Sequence, residues 1–202
     1  MDITSALKTL NKDPKMKKLI NNYDLPNFKP INNYFQSLMR SIVFQQLSGK
    51  VANIIYQRLI DLLPNNKITP KEVLALTNEN MRKVGLSLQK INYIKNLATY
   101  FDNNPLNKNK AKEMSNEEIS RELIQIKGIG QWTIDMFLMF TLNRDDVMPY
   151  ADLGIQKGIK ALFNLDKLPT KDEMIAFSIR WKPYRTIACC YLWKIVDDDF
   201  EW

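Results

Sequence analysis

Two glycines one residue apart sit in an otherwise apolar run, Leu123-Ile124-Gln125-Ile126-Lys127-Gly128-Ile129-Gly130-Gln131-Trp132-Thr133. Glycines at this spacing let the backbone turn tightly and aim N–H groups outward at the start of the helix that follows. Such a terminus binds phosphate through unpaired amides and the helix dipole, and Lys127 can add an ion pair. A plain tight turn between two core helices fits the same residues, and the local sequence leaves both open. Asp152 follows Pro149 at the start of an apolar segment, where its type and place suit a helix N-cap. Asp145 and Asp146, in the loop before Val147, read as turn residues. The chain has 0 histidines, which removes imidazole acid–base catalysis, Ser-His-Asp and Cys-His nucleophiles, and histidine metal ligation. Any chemistry must use carboxylates, lysines, hydroxyls, aromatics or backbone.

The frame around these residues is ordinary for a folded chain. At 202 residues, 45% hydrophobic and 25% charged, it can bury a sizeable core or form two small lobes around a cleft. Lys and Arg number 29 against 22 Asp and Glu, a formal charge of +7 that favours a polyanionic partner, nucleic acid first. The 2 cysteines, Cys189 and Cys190, are adjacent in an apolar context that suits reduced core thiols rather than a disulfide framework. The start lacks the charged and apolar regions of a signal peptide, and no run approaches the ~20 apolar residues of a membrane span. An intracellular protein with no membrane partner is expected, in a prokaryotic cytoplasm or nucleoid, or in a nucleus.

Nearly every patterned segment has helical spacing, so the expected class is all-α, with roughly ten helices. Asp13-Pro14 and Thr69-Pro70 each set a capping side chain before a proline at the first helical position, and Ser115 with Glu118 forms a capping box. Residues 33 to 47 and 50 to 63 read as a helical hairpin broken at Gly49, and Gly85 ends a short helix before Ser87 caps the next. Further helices are expected near 116 to 125, 130 to 142, 153 to 163, 171 to 181 and 184 to 196. Residues 102 to 114, with Pro105 among Asn and Lys, read as a solvated linker and hinge, and Asp197 to Trp202 as an acidic tail.

Four ordered blocks carry a more specific signal: Gln45-Gln46-Leu47-Ser48-Gly49-Lys50-Val51-Ala52, Ile126 to Thr133, Pro149-Tyr150-Ala151-Asp152-Leu153-Gly154-Ile155-Gln156-Lys157-Gly158, and Trp181-Lys182-Pro183-Tyr184-Arg185-Thr186 through Tyr191-Leu192-Trp193. With them the chain resembles the helix-hairpin-helix (HhH-GPD) DNA glycosylases, of the 3-methyladenine glycosylase II type. The resemblance implies two helical lobes around a cleft. Lobe A would cover about 30–103 with parts of both termini, and lobe B about 115–180, carrying the hairpin 123–133 and the catalytic Asp, all within one unit of 1–202.

It also implies site roles. Lys127, Gly128, Ile129, Gly130, Trp132 and Thr133 would grip the DNA backbone, and the carbonyls of Ile124, Ile126 and Ile129 could hold a structural Na+ or K+ ion. Asp152 matches the family's Pro-x-x-Asp carboxylate. Trp132, Trp193 and Met136 fall at base-pocket positions, Met136 where an aromatic can occur. Trp181 and Tyr191 are left to the core. Trp132 stands where lyase relatives carry a Schiff-base lysine, so the implied reaction is monofunctional hydrolysis. The wedge that fills the emptied stack would be Gln46 or Leu47, with Leu86 and Leu88 as a second plug. Lys90, Lys157, Lys160 and Arg185 are candidates for phosphate neutralisation.

The implied function is excision of alkylated purines such as 3-methyladenine and 7-methylguanine from double-stranded DNA in base excision repair, by a monomer. No cofactor is expected to be required, and the absence of a four-cysteine pattern excludes an iron–sulfur cluster. No room is expected for the N-terminal β-rich domain of some relatives. Alternatives are a glycosylase for ethenoadenine, hypoxanthine or an oxidised base, a non-catalytic binder of damaged DNA, and a helical protein-interaction domain whose Gly-x-Gly is only a turn.

Overall fold

The computed structural model describes residues 1–25, 28 and 31–197. Residues 198–202, most of the expected acidic tail, lie outside the described residues. Among the described residues there are thirteen α-helices and no strand, in agreement with the expected class. In chain order they are α1 (Ile3–Leu10), α2 (Pro14–Asn22), α3 (Tyr34–Phe44), α4 (Gly49–Asp61), α5 (Pro70–Ala75), α6 (Asn78–Lys83) and α7 (Leu88–Asn103). There follow α8 (Lys108–Glu113), α9 (Asn116–Leu123), α10 (Gln131–Met136), α11 (Leu153–Phe163), α12 (Lys171–Ser178) and α13 (Arg185–Val196).

The caps legible in the sequence are in place. Asp13 accepts the Lys15 N–H at 2.9 Å, Thr69 caps α5 ahead of Pro70, and Ser115 and Glu118 close a reciprocal capping box. Gly85 sits at φ +108° and Ser87 caps α7. The break between α3 and α4 differs from expectation. Gly49 is already the first residue of α4, and the chain turns through Gln45–Ser48, with Gln46 at φ 56°. The stretch expected as a linker is also folded. Asn107 caps α8, Leu106 and Ala111 are buried, and Lys110 pairs with Glu122 of α9 at 2.7 Å. Two buried apolar anchors suffice to dock a helix that is otherwise lysine- and asparagine-rich.

The chain divides into two compact units. One comprises Met1–Pro30 with Leu138–Trp202, and the other Ile31–Phe137. In this division the hairpin belongs to the second unit and Asp152 to the first, and not both to one lobe as the resemblance implies.

Within the Ile31–Phe137 unit, α7 packs against α3, α5 and α6, burying Ile91, Ile94, Leu97, Ala98 and Phe101 on one face. Tyr34 meets Phe137 edge to face at 5.4 Å, and α10 packs on α3 and α9. In the other unit α13 lies along α11 at close range. A Cβ on Gly158 would come within 2.5 Å of the Leu192 carbonyl oxygen, so only glycine admits this approach. Trp181 is fully buried and donates Nε1–H to Asp13 at 3.0 Å, which ties the cap of α2 to the core. Tyr191, Cys189 and Cys190 are core as well.

Candidate active site

Asp152 is the N-cap of α11, its Oδ1 accepting the Ile155 N–H at 2.8 Å. The same oxygen accepts Trp193 Nε1–H from α13 at 2.9 Å. Both partners are fixed donors, one backbone and one indole, so the carboxylate is held in a single orientation. The indole reaches it only because residue 154 is glycine. A Cβ there would lie 2.7 Å from Trp193 Cδ1, 2.9 Å from Nε1 and 3.0 Å from Asp152 Oδ1. Gly154 and Gly158 stand one turn apart on α11 and clear its face for α13.

The loop that delivers Asp152 is secured by the first residues of α13. The Arg185 guanidinium binds both Asp146 oxygens at 2.6 and 2.9 Å and donates to the Tyr150 hydroxyl at 3.1 Å. Burial alone would pull the Arg185 pKa down, but the hydrogen bonds and charge of Asp146 outweigh it and leave the guanidinium above its ordinary value. Thr186 adds three contacts: its hydroxyl donates to Arg144 O at 2.6 Å and accepts the Val147 N–H at 3.1 Å, and its amide donates to Asp145 O at 3.0 Å. One helix thus fixes the loop at its first turn and the carboxylate two turns later. Arg185, expected to neutralise phosphate, is instead an internal clamp, and Asp146 is its ion-pair partner as well as a loop residue. Lys157 is exposed and Lys160 half-buried.

In the Ile31–Phe137 unit the hairpin forms between α9 and α10. Gly128 has φ +108°, and a Cβ on it would fall 2.3 Å from Tyr93 Cγ, so both backbone and space demand glycine. Gly130 is different: it caps α10 with no side-chain bond, and a Cβ there would meet nothing within 4 Å. Among the described residues the amides of Gly128 and Gly130 donate to no other group. They are followed by the first amides of α10, which have no intrahelical acceptor. Lys127 is exposed, and its carbonyl accepts from Asn96 at 3.4 Å. Beside it lies a groove of about 550 Å³ lined by Leu88, Gln89, Asn92, Tyr93, Asn96 and Lys127.

Ile126 and Ile129 are buried and Ile124 is 47% exposed. Ile126 O accepts the Ile129 N–H at 2.9 Å, closing the turn. Thr133 is 2% exposed, and its hydroxyl accepts from Gln45 Nε2 at 3.4 Å, so its side chain is not open to a phosphate. Trp132 is half-buried, whereas Met136 is 1% exposed and presents no open face to a base. Trp193, also expected in the pocket, is 6% exposed.

Gln46 and Leu47 are exposed in the turn after α3, as a wedge requires. Of the second pair, Leu88 is 54% exposed but Leu86 only 2%, so Leu86 is core and not a plug. Lys90 is not at a phosphate either. Its Nζ donates to Val43 O at 2.6 Å and Gln45 O at 2.7 Å, closing the end of α3, and burial draws its pKa down.

Comparison with known proteins adds a family. Residues 39–183 match the family model described as HhH-GPD superfamily base excision DNA repair protein. A DNA-3-methyladenine glycosylase of Schizosaccharomyces pombe is 40% identical over 182 residues, covering 89% of this chain and 80% of the relative. A solved S. pombe 3-methyladenine DNA glycosylase in complex with abasic DNA superposes with a TM-score of 0.83 at 38% identity, over 95% of this chain and 96% of that one. A DNA-3-methyladenine glycosidase of Bacillus halodurans gives 0.83 at 34% identity, over 97% and 90% of the two chains.

Proposed function

This chain belongs to the HhH-GPD superfamily of base excision DNA repair proteins, and on that premise we propose that it is a DNA glycosylase of the 3-methyladenine type that hydrolyses the N-glycosidic bond of alkylated purines with Asp152 as the catalytic carboxylate. The observation that carries this reading is the double anchoring of Asp152 Oδ1 by Ile155 N–H and Trp193 Nε1–H. A carboxylate preorganised in this way stabilises positive charge developing at C1′ without having to reorient in the transition state.

An alkylated purine of this kind is cationic, so the electron pair of the breaking C1′–N bond neutralises the leaving base, and little or no general acid is needed. The deoxyribose left behind is oxocarbenium-like. Asp152 stabilises it and orients the water whose oxygen bonds to C1′, the water's proton passing to the carboxylate or to solvent. A chain with 0 histidines can do this chemistry. Trp132 supplies an aromatic face for an extruded cationic base, and as it cannot form a Schiff base, the reaction stops at base release.

Double-stranded DNA carrying alkylated bases is the partner, bound by a monomer through the amides of Gly128, Gly130 and the start of α10, with Lys127 beside them. Carbonyls of Ile124, Ile126 and Ile129 are the groups that would hold a Na+ or K+ ion in the hairpin, where its charge would add to the pull on phosphate. Ile126 O already accepts one N–H and keeps a second lone pair for such a contact. Gln46 and Leu47 fill the gap left by the extruded base. No helix among the described residues is long and apolar enough to cross a membrane.

The test is release of 3-methyladenine from methylated duplex DNA by wild type and Asp152→Asn. Asn is as good an N-cap as Asp, so the variant isolates the charge. Expected is a fall of about 100-fold or more in base release at unchanged duplex affinity. Equal release by the two proteins would overturn the assignment of Asp152.

A further inference from the structure

Gln45 stands between two devices of the Ile31–Phe137 unit, the hairpin and the exposed Gln46–Leu47 turn. Its side-chain Nε2 donates to Gly128 O at 3.2 Å and to Thr133 Oγ1 at 3.4 Å. The first acceptor is in the tight turn and the second in the opening turn of α10, so one amide group reaches both sides of the hairpin. At its backbone, the Gln45 carbonyl accepts Lys90 Nζ at 2.7 Å while Val43 O accepts the same ammonium at 2.6 Å. The residue is therefore anchored to α7 through its backbone and to the hairpin through its side chain.

The next residue is Gln46, at φ 56°, a left-handed conformation that a side chain other than glycine's disfavours. Such a conformation persists when the surrounding structure over-determines it. The Gln45 anchors are contacts of that kind, because they fix the peptide from which Gln46 departs. Gly128, meanwhile, donates its own N–H to no other group among the described residues and presents its C=O to Gln45. A phosphate drawn to the Gly128 and Gly130 amides thus acts on the turn whose carbonyl Gln45 holds.

We propose that Gln45 is a positioning residue that couples the hairpin's grip on the DNA backbone to insertion of the Gln46–Leu47 wedge. Engagement of the hairpin fixes Gln45, and Gln45 holds the turn in the inserting conformation. The coupling rests on the proposed roles of the hairpin and of the wedge, and it assigns the residue before the wedge a function separate from filling the stack.

The experiment uses the full chain and a methylated duplex with 2-aminopurine beside the lesion, whose fluorescence reports unstacking at saturating protein. Wild type, Gln45→Leu, Gln45→Glu and Gln46→Ala are compared for duplex affinity, fluorescence change and kcat of base release. Leu keeps the bulk of Gln without its protons, and Glu keeps its shape but cannot donate, so either variant that folds makes the test. Expected for the Gln45 variants are duplex affinity within about twofold of wild type and falls of about tenfold in kcat and in the equilibrium for unstacking, as in Gln46→Ala. Wild-type fluorescence and kcat in the Gln45 variants, beside a defective Gln46→Ala, would remove the coupling and leave the wedge in place. Loss of duplex affinity in proportion to kcat would reduce Gln45 to a support of the hairpin. Normal unstacking by Gln46→Ala would remove the wedge reading itself, and the coupling with it.

Discussion

Trp193 donates its indole N–H to Asp152 Oδ1 at 2.9 Å across 41 residues of sequence. The sequence resemblance places Trp193 in the wall of a base pocket, but its polar edge is committed to the carboxylate. Replacing it with Phe keeps the apolar body and removes the donor. A hydrogen bond to a charged acceptor contributes about 1.5–3 kcal/mol, so Trp193→Phe is expected to lower kcat by about 10- to 100-fold, with smaller change in duplex affinity. Single-turnover base release at saturating enzyme checks this, and an unchanged rate would show that Trp193 does not position Asp152.

Gly154→Ala separates packing from propensity. On helix propensity alone, alanine in α11 would stabilise by up to about 1 kcal/mol. The new methyl would instead lie 2.7 Å from Trp193 Cδ1, against a side chain that is 6% exposed. The expected outcome is destabilisation by about 1–3 kcal/mol together with a loss of base release like that of Trp193→Phe. Denaturant unfolding and the release assay read the two effects, and a stabilised, active variant would refute the close approach.

The two hairpin glycines should respond oppositely to alanine. Gly128→Ala must place a methyl 2.3 Å from Tyr93 Cγ at φ +108°, and is expected to cost about 2 kcal/mol or more in stability. Gly130→Ala has open space and an ordinary φ of −103°, so it should fold with only the loss of about 0.5–1 kcal/mol that alanine costs at an N-cap. Its methyl would stand in the way of an approaching phosphate, and duplex affinity should fall about tenfold. Thermal unfolding paired with anisotropy titrations distinguishes them. Equal stabilities for the two variants would contradict the geometry.

Arg185→Lys keeps the charge but cannot bind both Asp146 oxygens and the Tyr150 hydroxyl together. The loop before Asp152 should loosen, with stability lower by about 1–2 kcal/mol and kcat reduced while the salt dependence of DNA binding is unchanged. A shallower salt slope would restore Arg185 to the phosphate contacts expected from the sequence.

Burial pushes the Cys190 thiol up to about 12, and Cys189 is equally buried. A raised pKa means the thiolate is the disfavoured form, so at pH 8 only about 1 in 10,000 molecules carries it. Thiol reagents should leave the native protein unmodified at pH 8 and react with both cysteines in denaturant. Rapid native labelling would place a thiol at the surface.

What the sequence determined is what depends on spacing along the chain. Asp13, Thr69, Ser87 and Ser115 were legible as caps because a cap is made with an amide two or three residues on. Gly128 and Gly130 marked a tight turn, and Asp152 a helix start, for the same reason. The stretch 102–114 misled because its polar composition hid the two anchors, Leu106 and Ala111, that dock α8. The tertiary structure alone decided the rest. The Trp193–Asp152 bond, the Arg185–Asp146 pair at a separation of 39, and the Gln45–Gly128 bond at 83 join residues on elements whose periodicity says which face is buried but not against what. The same limit made Arg185 and Lys90 look like surface cations. A lysine or arginine reads identically in sequence whether its charge meets solvent, a phosphate or a carbonyl of its own chain, and only the packing of α13 on α11 and of α7 on α3 selects the partner.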